Sequence, residues 1–246
     1  MAQYTTAVRA VDVAGVELAY RDTGAPDGPP VVLLHGGSSN SGTWDRLTAV
    51  LTAGGHRVVA PDLRGHGGST RTPAYPLSGF RDDIVGLLDA LALDRVALVG
   101  HSLGGHAASL VAQQQPGRVT RLVLEDPPPP PREPTPDGGL SRARMLLLGL
   151  GSLSRRRRYD PAAVTSAVAQ LRRPDPDWWD RLSVITAPTL MISGGPSSHI
   201  SPQRLAEVAR AIPDCRLVTI PVGHRVHSRS PERFRATVVP FLTGNR

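Results

Sequence analysis

The chain has 246 residues, a formal net charge of +7 and 40% hydrophobic residues. Its length predicts one α/β domain with a small insertion, and no apolar run approaches the roughly 20 residues that a membrane span needs. Cys215 is the one cysteine, which excludes an intrachain disulfide and a cysteine metal site.

Predicted strands and helices alternate along the chain. An antiparallel hairpin is predicted over residues 8–22, with its turn at Ala14-Gly15. A continuous apolar run at 31–34 is typical of a parallel strand covered on both faces. Further strands are predicted at 57–60, 95–99, 121–124, 188–192 and 216–220. Apolar residues at helical spacing predict helices over 43–53, 77–91, 103–115, 202–211 and 231–242. This alternation predicts a doubly wound, mostly parallel sheet with a functional site at the carboxyl ends of its strands.

A proline run interrupts the alternation after the strand at 121–124. Residues 127–131 are five consecutive prolines, which cannot lie inside a helix or a sheet and must be extended. They open an insertion over 127–186, with helices predicted at 142–153 and 161–172 and a third, short helix beginning at Trp178-Trp179. The apolar residues within 145–150 either line a pocket or attach the insertion to the core. We expect the two tryptophans to pack against the core.

The run at 95–99 ends in Gly100-His101-Ser102-Leu103-Gly104, directly before a predicted helix. A Gly-x-Ser-x-Gly sequence between a strand and a helix indicates a sharp turn that lifts the serine hydroxyl clear of both elements. Glycine fits on either side because a side chain there would collide with the neighbouring backbone. The N–H of Leu103 opens the helix without an intrahelical acceptor, so it is available to stabilise an oxyanion. The pattern predicts Ser102 as a nucleophile.

The serine turn is one of four motifs by which the sequence resembles the α/β-hydrolase superfamily, in its branch of small serine esterases, lactonases and related cofactor-free hydrolases. The resemblance covers about residues 15–242. It rests on four motifs in order: His35-Gly36-Gly37, Asp62-Leu63-Arg64-Gly65-His66-Gly67-Gly68-Ser69, the serine turn and Gly223-His224. It implies the α/β-hydrolase fold with a core domain over 1–126 and 187–246, a helical cap insertion over 127–186, and neither cofactor nor metal.

The resemblance also assigns roles to residues near the first strands. The loop after the strand at 31–34 supplies the second oxyanion donor, and this position falls on Gly37, with Ser38 beside it as a further oxyanion or substrate-binding candidate. Asp62 and Arg64 are expected to brace neighbouring loops, so we do not count them as catalytic.

His224 is the expected general base, because the superfamily places that residue after the last strand, directly behind a glycine. Four other histidines compete with it: His101, His106, His199 and His227. We expect the serine turn to direct His101 and His106 elsewhere. His227, three residues beyond His224, is expected beside the site without acting as the base.

The usual catalytic acid is missing. Most relatives carry it as Gly-x-x-Asp after the strand that matches 188–192, where this chain has Gly194-Gly195-Pro196-Ser197. Some superfamily members carry the acid after the strand that follows the nucleophile helix, and Asp126 occupies that place, 24 residues beyond Ser102. Glu125 precedes it, but successive strand residues face opposite sides, so only one carboxylate can serve. Asp126 is preferred, Glu125 and a Ser–His dyad stay open, and we expect Glu125→Gln to be mild.

These residues predict a cofactor-free serine hydrolase that acts on an ester, lactone or thioester through an acyl-enzyme intermediate. The alternatives are a carbon–carbon bond hydrolase with the same triad and a non-hydrolytic small-molecule binder on the same scaffold. The expected partner is a small-molecule substrate, and the expected assembly is a monomer or a homodimer.

The charge and the first residues of the chain limit which other partners are expected. All 28 cationic side chains are arginine, and the one cluster is Arg155-Arg156-Arg157-Arg158. This run lacks interleaved aromatic residues and a surrounding nucleic-acid motif, so we expect no nucleic-acid partner. It forms either a solvated helix face or an entrance for anionic substrates. The first residues lack a signal-peptide layout, so a cytoplasmic location without a membrane partner is expected.

Overall fold

The computed structural model describes residues 7–134 and 158–244. Its sheet is built from β1 Val8–Val13, β2 Val16–Gly24, β3 Pro30–Leu34, β4 Arg57–Pro61, β5 Val96–His101, β6 Val119–Glu125, β7 Thr189–Ser193 and β8 Cys215–Thr219. The strand order is β1-β2-β4-β3-β5-β6-β7-β8. β2 pairs antiparallel with β1 and with β4, and the remaining pairs are parallel. The mostly parallel sheet predicted from the sequence is confirmed.

Helices connect these strands and cover both faces of the sheet. They are α1 Asp45–Ala53, α2 Leu77–Ala90, α3 Leu103–Gln114, α4 Pro161–Gln170, α5 Pro176–Asp180, α6 Pro202–Ala211, α7 Val226–Arg229 and α8 Pro231–Thr243. Short 3₁₀ turns lie at Ser41–Trp44 and Arg181–Val184. Predicted and observed bounds of the long elements differ by one or two residues, and the fraying of helix ends accounts for differences of this size. Among the described residues, no helix has the length and apolar character to cross a bilayer.

Alternate residues of the parallel strands face two apolar layers. On β3, Val32 and Leu34 belong to the layer beneath α2, α3 and α6. Val31 and Leu33 belong to the layer beneath α1 and α8. Strand alternation produces this division, and full burial of each such side chain contributes about 1.5–3 kcal/mol. Because both faces are packed, the carboxyl ends of the central strands are fixed relative to one another.

Register places three loops side by side at one edge of the sheet. β5 pairs in parallel with β3 and β6, and β6 pairs in parallel with β7. His101 is level with Glu125, and Glu125 is level with Ile192. The residues that follow these strands, Ser102 and Asp126 among them, therefore emerge together.

Two helices of the predicted insertion pack on the core. α5 contains both tryptophans: the indole N–H of Trp178 donates to the Ser109 hydroxyl (3.1 Å), and that of Trp179 donates to the Pro130 carbonyl (2.8 Å). Both are buried, in agreement with the packing expected of them. α4 is anchored before its first turn, where the Tyr75 hydroxyl donates to Asp160 (2.7 Å).

Other parts of that insertion lie outside the described residues. They are the predicted helix at 142–153, the apolar residues within 145–150 and the first three arginines of the cluster at 155–158. The division into a core domain and a cap over 127–186 stays a prediction.

Candidate active site

The turn after β5 has the sharp geometry that the sequence predicts. Ser102 has φ 52° and ψ −117°, a conformation that L-residues rarely adopt, and α3 begins at the next residue. A Cβ on Gly100 would lie 2.4 Å from the Gly104 carbonyl oxygen, and one on Gly104 would lie 2.4 Å from that of Leu34. α3 thus approaches β5 at Gly100 and β3 at Gly104, and the serine is held at the turn between β5 and α3.

Ser102, His224 and Asp126 form a continuous chain of hydrogen bonds. The Ser102 hydroxyl lies 2.9 Å from His224 Nε2, and His224 Nδ1 lies 2.7 Å from Asp126 Oδ2. In the neutral imidazole, Nδ1–H donates to the carboxylate and Nε2 accepts from the serine. The His224 side chain is 19% exposed, whereas the Asp126 side chain is fully buried. The predicted contact between Asp126 and His224 is present.

Asp126 is held from several directions. It has a positive φ of 48°, and its backbone N–H donates to the Ile192 carbonyl at the end of β7 (2.8 Å). Its Oδ1 accepts the Gly194 N–H (2.8 Å), and its Oδ2 accepts the Ser198 hydroxyl in addition to the His224 N–H. Asp126, which follows β6, is thus hydrogen-bonded to the loop after β7, where the resemblance places the usual acid.

The serine that contacts Asp126 is not the one at the sequence position of the usual aspartate. Ser197 stands in the sequence position of the usual aspartate, yet it is exposed, and the neighbouring Ser198 makes the contact. The turn from Gly195 to Ser198 closes with a backbone hydrogen bond of 2.9 Å, and Ser198 Oγ also accepts the Ile200 N–H (3.1 Å). The turn brings Ser198 rather than Ser197 to Asp126, a detail that motif spacing does not encode.

Of the three oxyanion candidates, two have an available backbone N–H. Within the described residues, neither the N–H of Leu103, at the start of α3, nor that of Gly37 has an acceptor. Ser38 is different: its N–H donates to His66 Nε2 (3.3 Å). A histidine of the neighbouring loop already uses that N–H, which argues against Ser38 as an oxyanion donor. Its role in substrate binding stays a prediction.

The loop that carries Gly37 is braced by buried histidine and carboxylate groups. His35 accepts the Leu63 N–H at Nε2 (3.0 Å) and donates from Nδ1 to the Gly36 carbonyl (2.8 Å). Burial lowers the pKa of His35 to about 3, so the ring is neutral in the folded protein. Asp62 accepts the N–H groups of Ser41 (2.7 Å) and Gly68 (2.9 Å), a bracing function like the one expected.

Arg64 makes the second predicted brace. Its guanidinium forms two parallel hydrogen bonds of 2.6 Å with the carboxylate of Asp83 on α2. Both side chains are largely buried. Burial raises the pKa of Asp83, while the hydrogen bonds from Arg64 act in the opposite direction. The ion pair therefore links the loop after β4 to the helix behind it, away from Ser102.

The four competing histidines occupy distinct surroundings. His101 donates from Nε2 to the His224 carbonyl (2.8 Å), and burial lowers its pKa to about 4. His106 is buried against Trp178, with 5.4 Å between ring centroids. His199 is exposed, with its ring centroid 4.0 Å from that of His224.

The fourth, His227, is buried and pairs with Glu125, whose carboxylate is fully buried (2.8 Å). Glu125 therefore binds His227, and Asp126 is the carboxylate that binds His224. Neither the Glu125–His227 pair nor the contact of His199 with His224 was predicted. The adjacent carboxylates and the three-residue spacing of the histidines are the signal that could have indicated the pair.

The sheet, the serine turn and the hydrogen-bonded Ser–His–Asp chain together define a protein of the α/β-hydrolase class. A family model described as "Alpha/beta hydrolase family" matches residues 31–237, and the chain belongs to this family.

Individual relatives agree with this assignment. The chain is 30% identical to the sn-1-specific diacylglycerol lipase ABHD11 of Mus musculus, over 87% of this chain and 81% of the relative. It is 40% identical to 2-hydroxy-6-oxo-2,4-heptadienoate hydrolase of Pseudomonas putida, over 47% of this chain and 43% of the relative. Among solved structures, Est816, described as an N-acyl homoserine lactone degrading enzyme, is 27% identical with a TM-score of 0.78, covering 95% of this chain and 100% of that one. The first two relatives are described as a lipase and a hydrolase, which supports a general hydrolase activity for this chain.

Proposed function

We propose that the protein is a serine hydrolase that cleaves an ester, lactone or thioester through an acyl-enzyme intermediate. The observation that carries this proposal is the continuous hydrogen-bonded chain from Ser102 through His224 to Asp126. A nucleophile, a base and an orienting acid in hydrogen-bond contact are what acyl transfer by serine needs. The same contact favours an enzyme over a non-hydrolytic binder, which has no use for a serine aligned on an imidazole.

In the first half of the reaction, Ser102 Oγ attacks the substrate carbonyl carbon while His224 Nε2 takes the hydroxyl proton. The carbonyl electron pair moves onto oxygen, and the N–H groups of Leu103 and Gly37 stabilise that oxyanion. When the pair returns, the bond to the leaving alcohol or thiol breaks, and His224 gives its proton to the leaving atom. Water then repeats the sequence on the acyl-enzyme and regenerates Ser102.

Asp126 acts through His224. Its buried carboxylate holds Nδ1–H, which leaves the Nε2 lone pair directed at Ser102 and stabilises the imidazolium that forms during attack. The Gly194 N–H and the Ser198 hydroxyl satisfy the carboxylate on its other sides. The displaced acid thus supplies the orientation that the usual aspartate supplies in other members.

The relative that hydrolyses 2-hydroxy-6-oxo-2,4-heptadienoate supports one second candidate, a carbon–carbon bond hydrolase. Its match covers less than half of either chain, so acyl-oxygen or acyl-sulfur cleavage remains the proposal. A panel of acyl esters, lactones, thioesters and a dienoate ketone, assayed with one preparation, separates the two. Turnover confined to the dienoate would overturn the ester, lactone or thioester assignment.

The serine mechanism is tested with a fluorophosphonate, which reacts with activated serines, followed by peptide mass spectrometry. We expect the label on the peptide that contains Ser102. Ser102→Ala should abolish labelling and reduce turnover on the order of 10⁴–10⁶-fold, because it removes one oxygen atom and the nucleophile with it. Ser183→Ala makes the same chemical change at an exposed position and should leave both unchanged. Turnover within tenfold of the original in purified Ser102→Ala would overturn the mechanism.

A further inference from the structure

A second group of polar residues lies directly beneath the triad. His101 precedes Ser102, Glu125 precedes Asp126, and His227 follows His224 by three residues. All three side chains are buried, and their ligating atoms lie within 4.8 Å of one another. We call these three residues the lower cluster. The reaction proposed above uses none of them, although each is linked to a triad residue through the backbone.

Glu125 binds His227 by both its backbone and its ring. The carboxylate accepts the His227 backbone N–H (2.9 Å) and the ring Nδ1–H (2.8 Å to Oε2). The Thr43 hydroxyl lies 2.7 Å from the remaining ring nitrogen, and the Trp44 ring packs on the imidazole, with 4.5 Å between centroids. Burial raises the pKa of the Glu125 carboxyl, but His227 and His101 outweigh burial and hold it below its ordinary value. Glu125 is therefore an ionised group sealed inside the protein.

His101 holds the same loop at a different atom. Its Nε2–H donates to the His224 carbonyl oxygen (2.8 Å). The lower cluster thus forms hydrogen bonds with the backbone on both sides of Arg225 and Val226, at the carbonyl of residue 224 and the N–H of residue 227. α7 has four residues, too few to hold its own geometry, since isolated helices of this length are unstable.

We propose that Glu125 and His101 are positioning residues that fix the loop carrying the catalytic base, so that His224 Nε2 stays in hydrogen-bond contact with Ser102. This inference rests on the proposed function of Ser102 and His224. Each strand end supplies two consecutive residues: β5 gives an anchor and the nucleophile, and β6 gives an anchor and the acid. Movement of the loop would displace the base from both of its partners, and a misplacement of about 1 Å can reduce turnover on the order of 10²-fold.

The experiment compares Glu125→Gln with Asp22→Asn. Asp22 is also a largely buried carboxylate in an ion pair, with Arg57 (2.9 Å), but it lies on β2. The measurements are kcat, KM, the thermal midpoint and the downfield proton resonance of His224 Nδ1–H. We expect Glu125→Gln to lower kcat about 10- to 100-fold with KM within about twofold, and to weaken or broaden that resonance. Asp22→Asn should lower the thermal midpoint while kcat and the resonance are retained.

His101 provides an independent arm, which also serves if Glu125→Gln does not fold. His101→Leu removes the donor to the His224 carbonyl, whereas the amide of His101→Gln can replace it. We expect a loss of kcat in the leucine variant and its substantial recovery in the glutamine variant, again with KM little changed. Equal losses in both would indicate a packing effect and would overturn the assignment of His101.

Two further results would overturn the proposal. One is a kcat for Glu125→Gln that matches Asp22→Asn, with the resonance intact. The other is a stoichiometric metal ion in the purified protein that is lost in Glu125→Gln, since the lower cluster would then be a metal site. Failure of the proposed function gives a different result, because Ser102→Ala would then remain active whatever Glu125→Gln does.

Discussion

Two acid–histidine pairs stand next to each other in this protein, and their surroundings differ. Asp126 and His224 meet where the imidazole is still 19% exposed, within reach of the Ser102 hydroxyl. Glu125 and His227 meet where neither side chain is more than 4% exposed. The comparison teaches that access, rather than residue type, separates a pair suited to proton transfer from a pair suited to holding a loop. Asp126, which has a positive φ, directly follows Glu125, so the chain changes direction between the two pairs.

The largest effect should come from breaking the Asp126–His224 pair. Asp126→Asn should reduce turnover by about 10⁴-fold, because the amide no longer favours the Nδ1–H tautomer or stabilises the imidazolium. Glu125→Gln, the same chemical change one residue away, should stay at the 10- to 100-fold level expected above. Steady-state kinetics of both variants test this ranking. A smaller loss in Asp126→Asn than in Glu125→Gln would reverse the two assignments.

A second carboxylate placed after β7 should restore part of that loss. Ser198 already contacts Asp126 Oδ2, so Ser198→Asp in the Asp126→Asn background returns a negative charge near His224 Nδ1. We expect about a tenfold or greater gain over Asp126→Asn alone, the factor that corresponds to about 1.4 kcal/mol. Ser197→Asp in the same background is the matched control, and its exposed position predicts no gain. Equal rescue by both would mean that the loop rearranges.

Removal of the Ser198 hydroxyl should have a smaller effect. Ser198→Ala deletes one neutral donor to the Asp126 carboxylate, and hydrogen bonds to charged groups contribute about 1.5–3 kcal/mol. With the Gly194 N–H still in place, we expect about a tenfold fall in kcat. Ser197→Ala should be indistinguishable from the original protein in the same assay. A larger effect of Ser197→Ala would contradict the placement of the two serines.

The sealed pair should also be visible in the pH dependence of stability. The folded-state pKa of Glu125 lies below its ordinary value of 4.5, so its contribution is present above that value and is lost as pH falls through the folded-state pKa. Thermal midpoints measured from neutral pH to below pH 4.5 should therefore fall less steeply in Glu125→Gln than in the original protein. An identical slope would show that Glu125 does not titrate with folding.

Most of the fold follows from local pattern, because each long strand and helix buries a periodic set of apolar residues. The serine turn was also predictable from local sequence, because its two glycines indicate a close approach of backbone segments. The position of Asp126 followed from chain order, and its contact with His224 is observed.

Loop conformation could not be read in this way. Nothing in the spacing of Gly194–Ser198 states which serine turns inward, and the use of the Ser38 N–H depends on His66, 28 residues away. The sequence favoured a mild effect for Glu125→Gln, because strand alternation turns Glu125 away from His224. The strand pattern does not reveal that the Glu125 carboxylate binds His227 on the opposite face. α7 has too few residues to show a helical period.

The position of Asp126 has a consequence for grafting experiments. Asp126 is joined directly to Pro127, the first of the five prolines, and proline backbones transmit displacement because φ is fixed. A different segment joined at residue 127 would therefore displace Asp126. Pro130 and Pro131 are already tied to α5 and to the residue before it, through Trp179 and Asp175 (2.8 and 2.9 Å). A chimera that exchanges this insertion should keep residues 126–131 with the recipient and join downstream of them.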